Sequence, residues 1–366
     1  MFSAMIVKKY LTFSASVGEG FLTVTEEADM AAGRVTIVDV AKLAGTSTAS
    51  VSYYLNGKLE KLGAPTQQRI AAAIRETGYV PNAQAQALSG KPTHVIGLVL
   101  LDNTNLWAGQ IQSGVESVAR DVGFQTVVCG TNFSRKNEQA CVEKLLSLGV
   151  DGFIIQPTSN FKAIHDRVRR AGRPVVFFDC DTFDLSTSWV KANLYDGVYT
   201  AIQTCIESGY DRFVSVAAPS TQMSLRTRIE RSSAFSDVLS AHNIDYAEIP
   251  IDHDGPSVTE LYEKFKYTLS PAHRTLVFVQ NQWALSRVFQ ALENSRDLMP
   301  DRIGLLGLNC TEWTALTTPT ISTIIEPVRQ EGRLACQMLL ELLDNEDAHP
   351  RQEILSCRTR WMASTL

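Results

Sequence analysis

The chain has little of what builds metal sites, disulfide frameworks or membrane spans. Its 366 residues include only seven cysteines and six histidines. None forms a C-x-x-C pair, an H-E-x-x-H or a His/Cys cluster of ligand spacing, so we expect reduced thiols, no disulfides, no metal and no other cofactor. No run approaches the ~18 apolar residues that span a bilayer. There is no Walker loop, no G-x-S-x-G and no G-x-G-x-x-G behind a strand, and His165, His242 and His273 sit in no triad pattern, so catalysis is not expected. An excess of positive charge is missing too: 34 Lys+Arg against 39 Asp+Glu leave a formal charge of -5, which excludes a polybasic coat for nucleic acid. What remains, 45% hydrophobic and 20% charged, is the composition of a globular chain of two or three domains.

Lys8 and Lys9 precede a short apolar stretch, 10–17, too broken by Thr and Ser for an export signal. Residues 1–33 read as a disordered extension, or as sequence upstream of a start at Met30. With reduced thiols and no export signal, a cytoplasmic location is expected.

Between Arg34 and Thr93 there are seven basic residues and three acidic ones, a balance of +4 that leaves -9 for the rest. Such a head can meet phosphates while the body does not. In it, Ile37, Val40, Ala41 and Ala44 recur at helical spacing and Gly45 stops the helix. Thr46-Ser47 caps a second helix whose apolar stripe is Val51 and Leu55, so Thr48, Ala49, Ser50 and Tyr53 must point elsewhere. A third helix, from about Thr66 to Thr77, turns Ile70, Ala73 and Ile74 inward and ends at Gly78. Residues 34–80 thus form either a helix-turn-helix or, on spacing alone, an ordinary helical hairpin. The alanine-rich stretch from Asn82 to Gly90, within a connection spanning 81–93, is too short for a stable isolated helix and reads alone as a linker.

From His94 onward, strand-like runs alternate with amphipathic stretches: 95–101, 124–129, 152–155 and 174–179, then 212–216, 246–249, 275–279 and 303–306. The alternation predicts parallel sheets covered by helices on both faces, and two similar series predict two lobes around a cleft. Ligands in such folds sit beyond the carboxyl ends of strands, where Asp102, Asp179, Gln280-Asn281-Gln282 and Gly307-Leu308-Asn309 fall.

The run Val35-Thr-Ile-Val-Asp-Val-Ala-Lys-Leu-Ala-Gly-Thr-Ser-Thr-Ala-Ser-Val-Ser-Tyr-Tyr-Leu-Asn-Gly57, with Thr66-Gln-Gln-Arg-Ile70 and Gly78-Tyr-Val-Pro-Asn82, resembles the head of the lactose-repressor (LacI/GalR) family of transcriptional regulators. The resemblance continues to the end of the chain. It implies an N-terminal all-α helix-turn-helix head, a hinge helix, and a two-lobed α/β core like a type I periplasmic binding protein, its lobes being roughly 94–190 plus 324–366, and 191–323. It implies a homodimeric repressor on a pseudo-palindromic DNA operator, controlled by a small effector, a sugar or sugar derivative. The segment 320–327 and the helical stretch 328–343 resemble the return strand and final helix of the first lobe, with 351–361 as a last strand and no long heptad tail after it.

Carried over residue by residue, Thr48, Ala49, Ser50 and Tyr53 are base-reading positions, and Tyr53 stands where arginine is common. Thr36, Ser47, Ser52, Asn56 and Thr66 match phosphate-holding positions, and Leu88 matches a minor-groove wedge. Asn105, Leu106 and Trp107 fall at the first strand-end motif, Trp107 either stacking on a sugar face or simply packing. Asp179, Asn193 with Gly197, Arg231, Asn281, Gln282 and Asn309 complete the implied effector site. Two departures stand out: Asn281-Gln282 replaces the usual Asn-Asp, and Gly307-Leu-Asn-Cys310 replaces Gly-Phe-Asp-Asp. Amides in place of carboxylates imply an atypical effector or a weakened response. Residues Leu59–Gly63 lengthen the loop before the third helix without an evident purpose. The alternative, a soluble sugar- or nucleoside-binding protein with no role in gene control, calls for an export signal and no head, the reverse of what is present.

Overall fold

In a computed structural model, residues 35–80, 92–180, 186–219, 226–252, 254–270, 272–309, 312–345 and 347–366 are described. The N-terminal extension, the hinge stretch with Leu88, and Cys310 lie outside the described residues. The chain divides into two compact units between Pro81 and Asn82. No helix among the described residues is long and apolar enough to cross a membrane.

The first unit is three helices around a small core. Helix α1 (Ile37–Leu43) starts in a capping box, in which the Thr36 side chain accepts from the Asp39 backbone N–H and the Asp39 carboxylate accepts from the Thr36 N–H at 2.9 Å. Gly45 leaves it at a φ of 60°, a conformation that strains any side chain with a Cβ. Helix α2 (Thr48–Leu55) is capped by Ser47, whose oxygen accepts from the Ser50 N–H at 3.1 Å. Helix α3 (Ala64–Thr77) begins two residues before the sequence pattern suggests, because Pro65 occupies its first turn, where a missing N–H costs nothing. Val40, Ala41, Ala44, Val51, Ile70 and Ala73 are the buried core.

The second unit holds two six-stranded sheets. In the first, β1 (Val95–Leu100), β2 (Gln125–Gly130), β3 (Gly152–Ile155), β4 (Val175–Phe178), β5 (Ser188–Asn193) and β11 (Gln352–Ser356) lie in the order β11-β5-β4-β3-β1-β2, all parallel. In the second, β6 (Arg212–Ala217), β7 (Tyr246–Pro250), β8 (Thr275–Val279), β9 (Ile303–Leu308), β10 (Ser322–Ile325) and β12 (Arg358–Arg360) lie in the order β12-β10-β9-β8-β6-β7, with β12 antiparallel to β10. Each sheet has its own apolar cores on both faces, as a parallel sheet requires.

The lobe boundaries differ from those the sequence suggests. Strand β5 belongs wholly to the first sheet although it carries Lys191, and β10 belongs to the second, so 320–325 is not a first-lobe return strand. The supposed last strand, 351–361, breaks at Cys357 into β11 and β12, one in each sheet. Three crossovers therefore join the lobes, at 193–194, at 325–328 and at 357. Gly197 is explained by the last of them, since a Cβ there would sit 2.7 Å from the Cys357 Cβ.

Candidate nucleic-acid interface and ligand cavity

On α2, Val51 is fully buried and Leu55 half-buried, which turns Thr48, Ala49 and Tyr53 outward into solvent. Ala49 and Tyr53, four apart, form one line along the helix. Ser50 is half-buried, with its hydroxyl 3.0 Å from that of Ser47. Ser47 stands at the N-terminus of α2, where unpaired N–H groups and the helix dipole favour an anion. Thr36 and Asn56 are exposed, and Ser52 and Thr66 half-buried. The Asn56 amide donates to the Ser52 hydroxyl at 3.2 Å, and Arg69 donates to the Thr66 hydroxyl at 3.4 Å and to the Ala44 carbonyl at 3.0 Å, tying α3 to the turn between α1 and α2. The surface so formed offers hydroxyl and amide hydrogen bonds around one aromatic ring, on a head of net positive charge.

In the second unit a cavity of about 340 Å³ opens between the carboxyl ends of the two sheets. Strand order reverses between β1 and β3 in one lobe and between β6 and β8 in the other, the places where open α/β sheets bind ligands. The same device marks both. The Gln156 side chain, just past β3, accepts from the Leu101 N–H at 3.0 Å, and that of Asn281, past β8, accepts from the Ala218 N–H at 3.1 Å. From the first lobe Asn105 caps helix α4 (Leu106–Ala119), accepting from the Ala108 N–H at 2.8 Å and donating to Asp102 at 2.9 Å. The Trp107 ring stacks on Phe178 with centroids 6.1 Å apart, so it packs with one face while lining the cavity.

The cavity is heavily charged. Asp179 takes a hydrogen bond from Gln156 at 2.7 Å and has a φ of 55°. Burial and the nearby Glu326 push its carboxyl up to about 7, against the Gln156 hydrogen bond and Arg231, which favour the charged form. Glu326, on the second crossover, accepts from Asn309 at 3.0 Å and from the Trp107 indole at 3.4 Å, and burial raises its pKa too. Arg231, on helix α8 (Arg226–Ala241), lines the cavity with its Nε buried and unpartnered; burial lowers its pKa while Glu326, Asp179 and Glu230 hold the charge. Beneath the floor Glu331 accepts from the Asp179 N–H at 2.9 Å, and Lys191 of the first lobe pairs with Glu230 of the second. Carboxylates, guanidiniums, amides and indole rings around one cleft can seat a small molecule rich in hydroxyls.

Comparisons with known proteins agree with both units. Residues 36–82 match the profile of bacterial regulatory proteins of the lacI family, and 202–365 that of the periplasmic binding protein-like domain. The regulator KdgR of Bacillus subtilis is 27% identical over 87% of this chain and 94% of its own length. The ribose operon repressor of Escherichia coli is 28% identical over 83% and 92%. Among solved structures, a lac repressor dimer bound to operator and an anti-inducer superposes with a TM-score of 0.76 at 22% identity, over 91% of this chain and all of that one. The head is a lacI-family domain, and over most of its length the chain is similar to transcriptional regulators of that family.

Within this fold, Asn105, Leu106, Trp107, Asp179, Arg231, Asn281, Gln282 and Asn309 all line the cavity, as does Asp102. Asn193 does not. Its side chain caps helix α7 (Leu194–Glu207), accepting from the Asp196 N–H at 3.1 Å and donating to the Asp196 carboxylate at 2.7 Å, so it shapes the first crossover instead. The sequence reading missed Gln156, Arg228, Trp283, Trp313 and Glu326, which also line the cavity. For Gln156 a signal existed, an amide directly after a buried strand; for Glu326 there was none, as Glu-Pro before a helix reads as a solvated turn. Glu326 also answers one departure. Asn309 stands where a carboxylate is usual, yet its amide donates to Glu326 and its carbonyl oxygen accepts from the Glu326 N–H at 3.2 Å, so a carboxylate reaches that edge from the crossover.

Proposed function

We propose that the protein is a sequence-specific DNA-binding transcriptional repressor, working in the cytoplasm as a homodimer on a pseudo-palindromic operator and governed by a small effector. The observation that carries this is the joining, in one chain, of a helix-turn-helix with an outward reading stripe to a two-lobed unit with a charged cavity at both topological switch points. Thr48, Ala49, Ser50 and Tyr53 read base edges, while Thr36, Ser47, Ser52, Asn56 and Thr66 meet phosphates and set register. Leu88 wedges into the minor groove from the hinge. The effector is a sugar or sugar derivative: aromatic faces at Trp107, Trp283 and Trp313 suit an apolar ring face, and Asp179, Glu326, Asn281 and Gln282 suit hydroxyls. Arg231, with an unmet donor in a buried setting, takes the effector's best acceptor.

Control requires that effector bind one arrangement of the lobes better than another, since equal affinity shifts nothing. Glu326 sits on a crossover and lines the cavity, so a ligand that engages it acts directly on a link between the lobes. Selection of bound sequences from a random duplex pool at near-physiological salt tests the reading. Enrichment of a two-fold-symmetric site, lost or sharpened when sugars and sugar derivatives are added, supports it; no enrichment in either condition removes it.

A further inference from the structure

The loop between α2 and α3 is longer than the resemblance calls for, and the structure shows what it holds. After Gly57, at a φ of 69°, the chain makes a single 3-10 turn, Leu59–Lys61. This turn is braced from α3: the Gln67 side chain donates to the Leu59 and Leu62 carbonyls, both at 2.9 Å. Leu62 is half-buried against the core of the head, while Lys61, one residue earlier, is exposed. The Lys61 ammonium lies 5.1 Å from the centre of the Tyr53 ring. Tyr53 in turn shares a line of α2 with Ala49, so the loop delivers a cation beside the proposed reading stripe.

Tyrosine at position 53 lacks what arginine would bring, a positive charge and paired donors for the N7/O6 edge of guanine. Lysine restores the charge and three donors, though as a point charge on a flexible stem. Here the stem starts from a braced turn and its head rests against an aromatic face, which removes freedom that a free lysine would lose on binding.

We propose that Lys61 is a specificity-determining residue of the DNA interface, forming with Tyr53 one composite reader in which the Lys61 ammonium donates to a guanine edge and the Tyr53 ring covers the neighbouring base pair. The inference rests on the DNA-binding reading above and adds to it the residue that reads one step of the operator. A phosphate contact by the same lysine is the competing role, and the two leave different signatures: a base contact is lost at one position of the site, a phosphate contact is lost equally on every sequence and lowers the salt slope.

The test is the random-duplex selection repeated with the full chain carrying Lys61→Met, Lys61→Arg or Gln67→Ala, with thermal unfolding as a check on the head. Lys61 is exposed, so Lys61→Met is expected to leave unfolding unchanged. The wild type should enrich a symmetric site with a strong G·C preference at one position per half-site. Lys61→Met should erase that preference, a loss of discrimination of roughly five- to 150-fold on the scale of about 1–3 kcal/mol for a good base contact, and leave the other positions intact. Lys61→Arg should retain the preference, and Gln67→Ala should weaken it without moving it. An unchanged site with Lys61→Met, or a uniform loss on all sequences with the salt slope reduced by about one, overturns the proposal in favour of no contact or a phosphate contact. If the wild type itself enriches nothing, the DNA-binding reading fails and takes this inference with it.

Discussion

The head and the two-lobed unit place their working side chains in opposite surroundings. On the head, Thr48, Ala49 and Tyr53 stand in water, and the neighbouring hydroxyls and amides pair locally, Ser47 with its own helix and Asn56 with Ser52. In the cleft, Asp179, Glu326, Glu331 and Arg231 are withdrawn from water and shift one another's charge. Exposed contacts are screened by salt and act nearly independently. Buried charges are coupled, respond to pH, and make each member's removal expensive for the rest. The comparison predicts a head that tunes by single substitutions and a cleft that tunes as a unit.

The strongest way to break the comparison is to unfold one unit without the other. The head has only six buried apolar side chains, so Ile70→Ala removes a large part of its core and should cost about 2–5 kcal/mol. Calorimetry should show the head's transition lost or far lowered and that of the lobes unmoved; a common shift of both would mean the units are not independent. Close behind in size comes Arg231→Ala, which removes the nearby positive charge that favours the ionised forms of Asp179 and Glu326. Truncating one member of a buried charge set typically costs about 2–5 kcal/mol in binding, so effector affinity should fall at least tenfold while DNA affinity without effector holds. An unaltered effector response would remove Arg231 from the site.

A smaller effect separates the units by pH. Asp179 is raised to about 7 in the folded chain, above the ~3.9 of an exposed aspartate. Folding therefore takes up a proton, and the stabilisation is complete below about pH 4 and lost as pH rises through about 7. Glu326 and Glu331, raised by burial, act with the same sign. The stability of the lobes should thus decline across this window, and Asp179→Asn should flatten the decline without abolishing it. A variant as steep as the wild type would show that Asp179 does not titrate there.

What the sequence made legible follows the range of the signals. Helix starts and stops in the head are local: Ser47, Gly45 and Gly78 act within a few residues and each is found where the pattern puts it, while the Thr36–Asp39 capping box, equally local, emerges only in the structure. The strand ends that line the cleft are nearly as local, since an apolar run closed by Asp179 or by Gln280-Asn281 marks its own end. The crossovers are not local. Lys191 inside β5 looks like a surface residue until Glu230, thirty-nine residues on and in the other lobe, supplies its partner. The split at Cys357 depends on two different sheets accepting three to five residues each. Asn193 misled for the reverse reason, since a helix cap and a ligand contact ask for the same amide.

The smallest predicted effect sharpens the head's side of the comparison, because Ser47 is asked to do two things. Its oxygen caps α2 by accepting from the Ser50 N–H, and its hydroxyl is proposed to donate to a phosphate. Ser47→Ala removes both and should cost the head about 1 kcal/mol of stability along with a uniform loss of DNA affinity. Ser47→Asp keeps an acceptor at the cap and suits the helix dipole, yet it has no donor and sets a negative charge against the DNA backbone. Stability should therefore return while affinity falls further on every sequence alike. If Ser47→Asp instead restored affinity together with stability, the cap would be the whole of the residue's contribution, and the phosphate contact would have to come from the helix N-terminus alone.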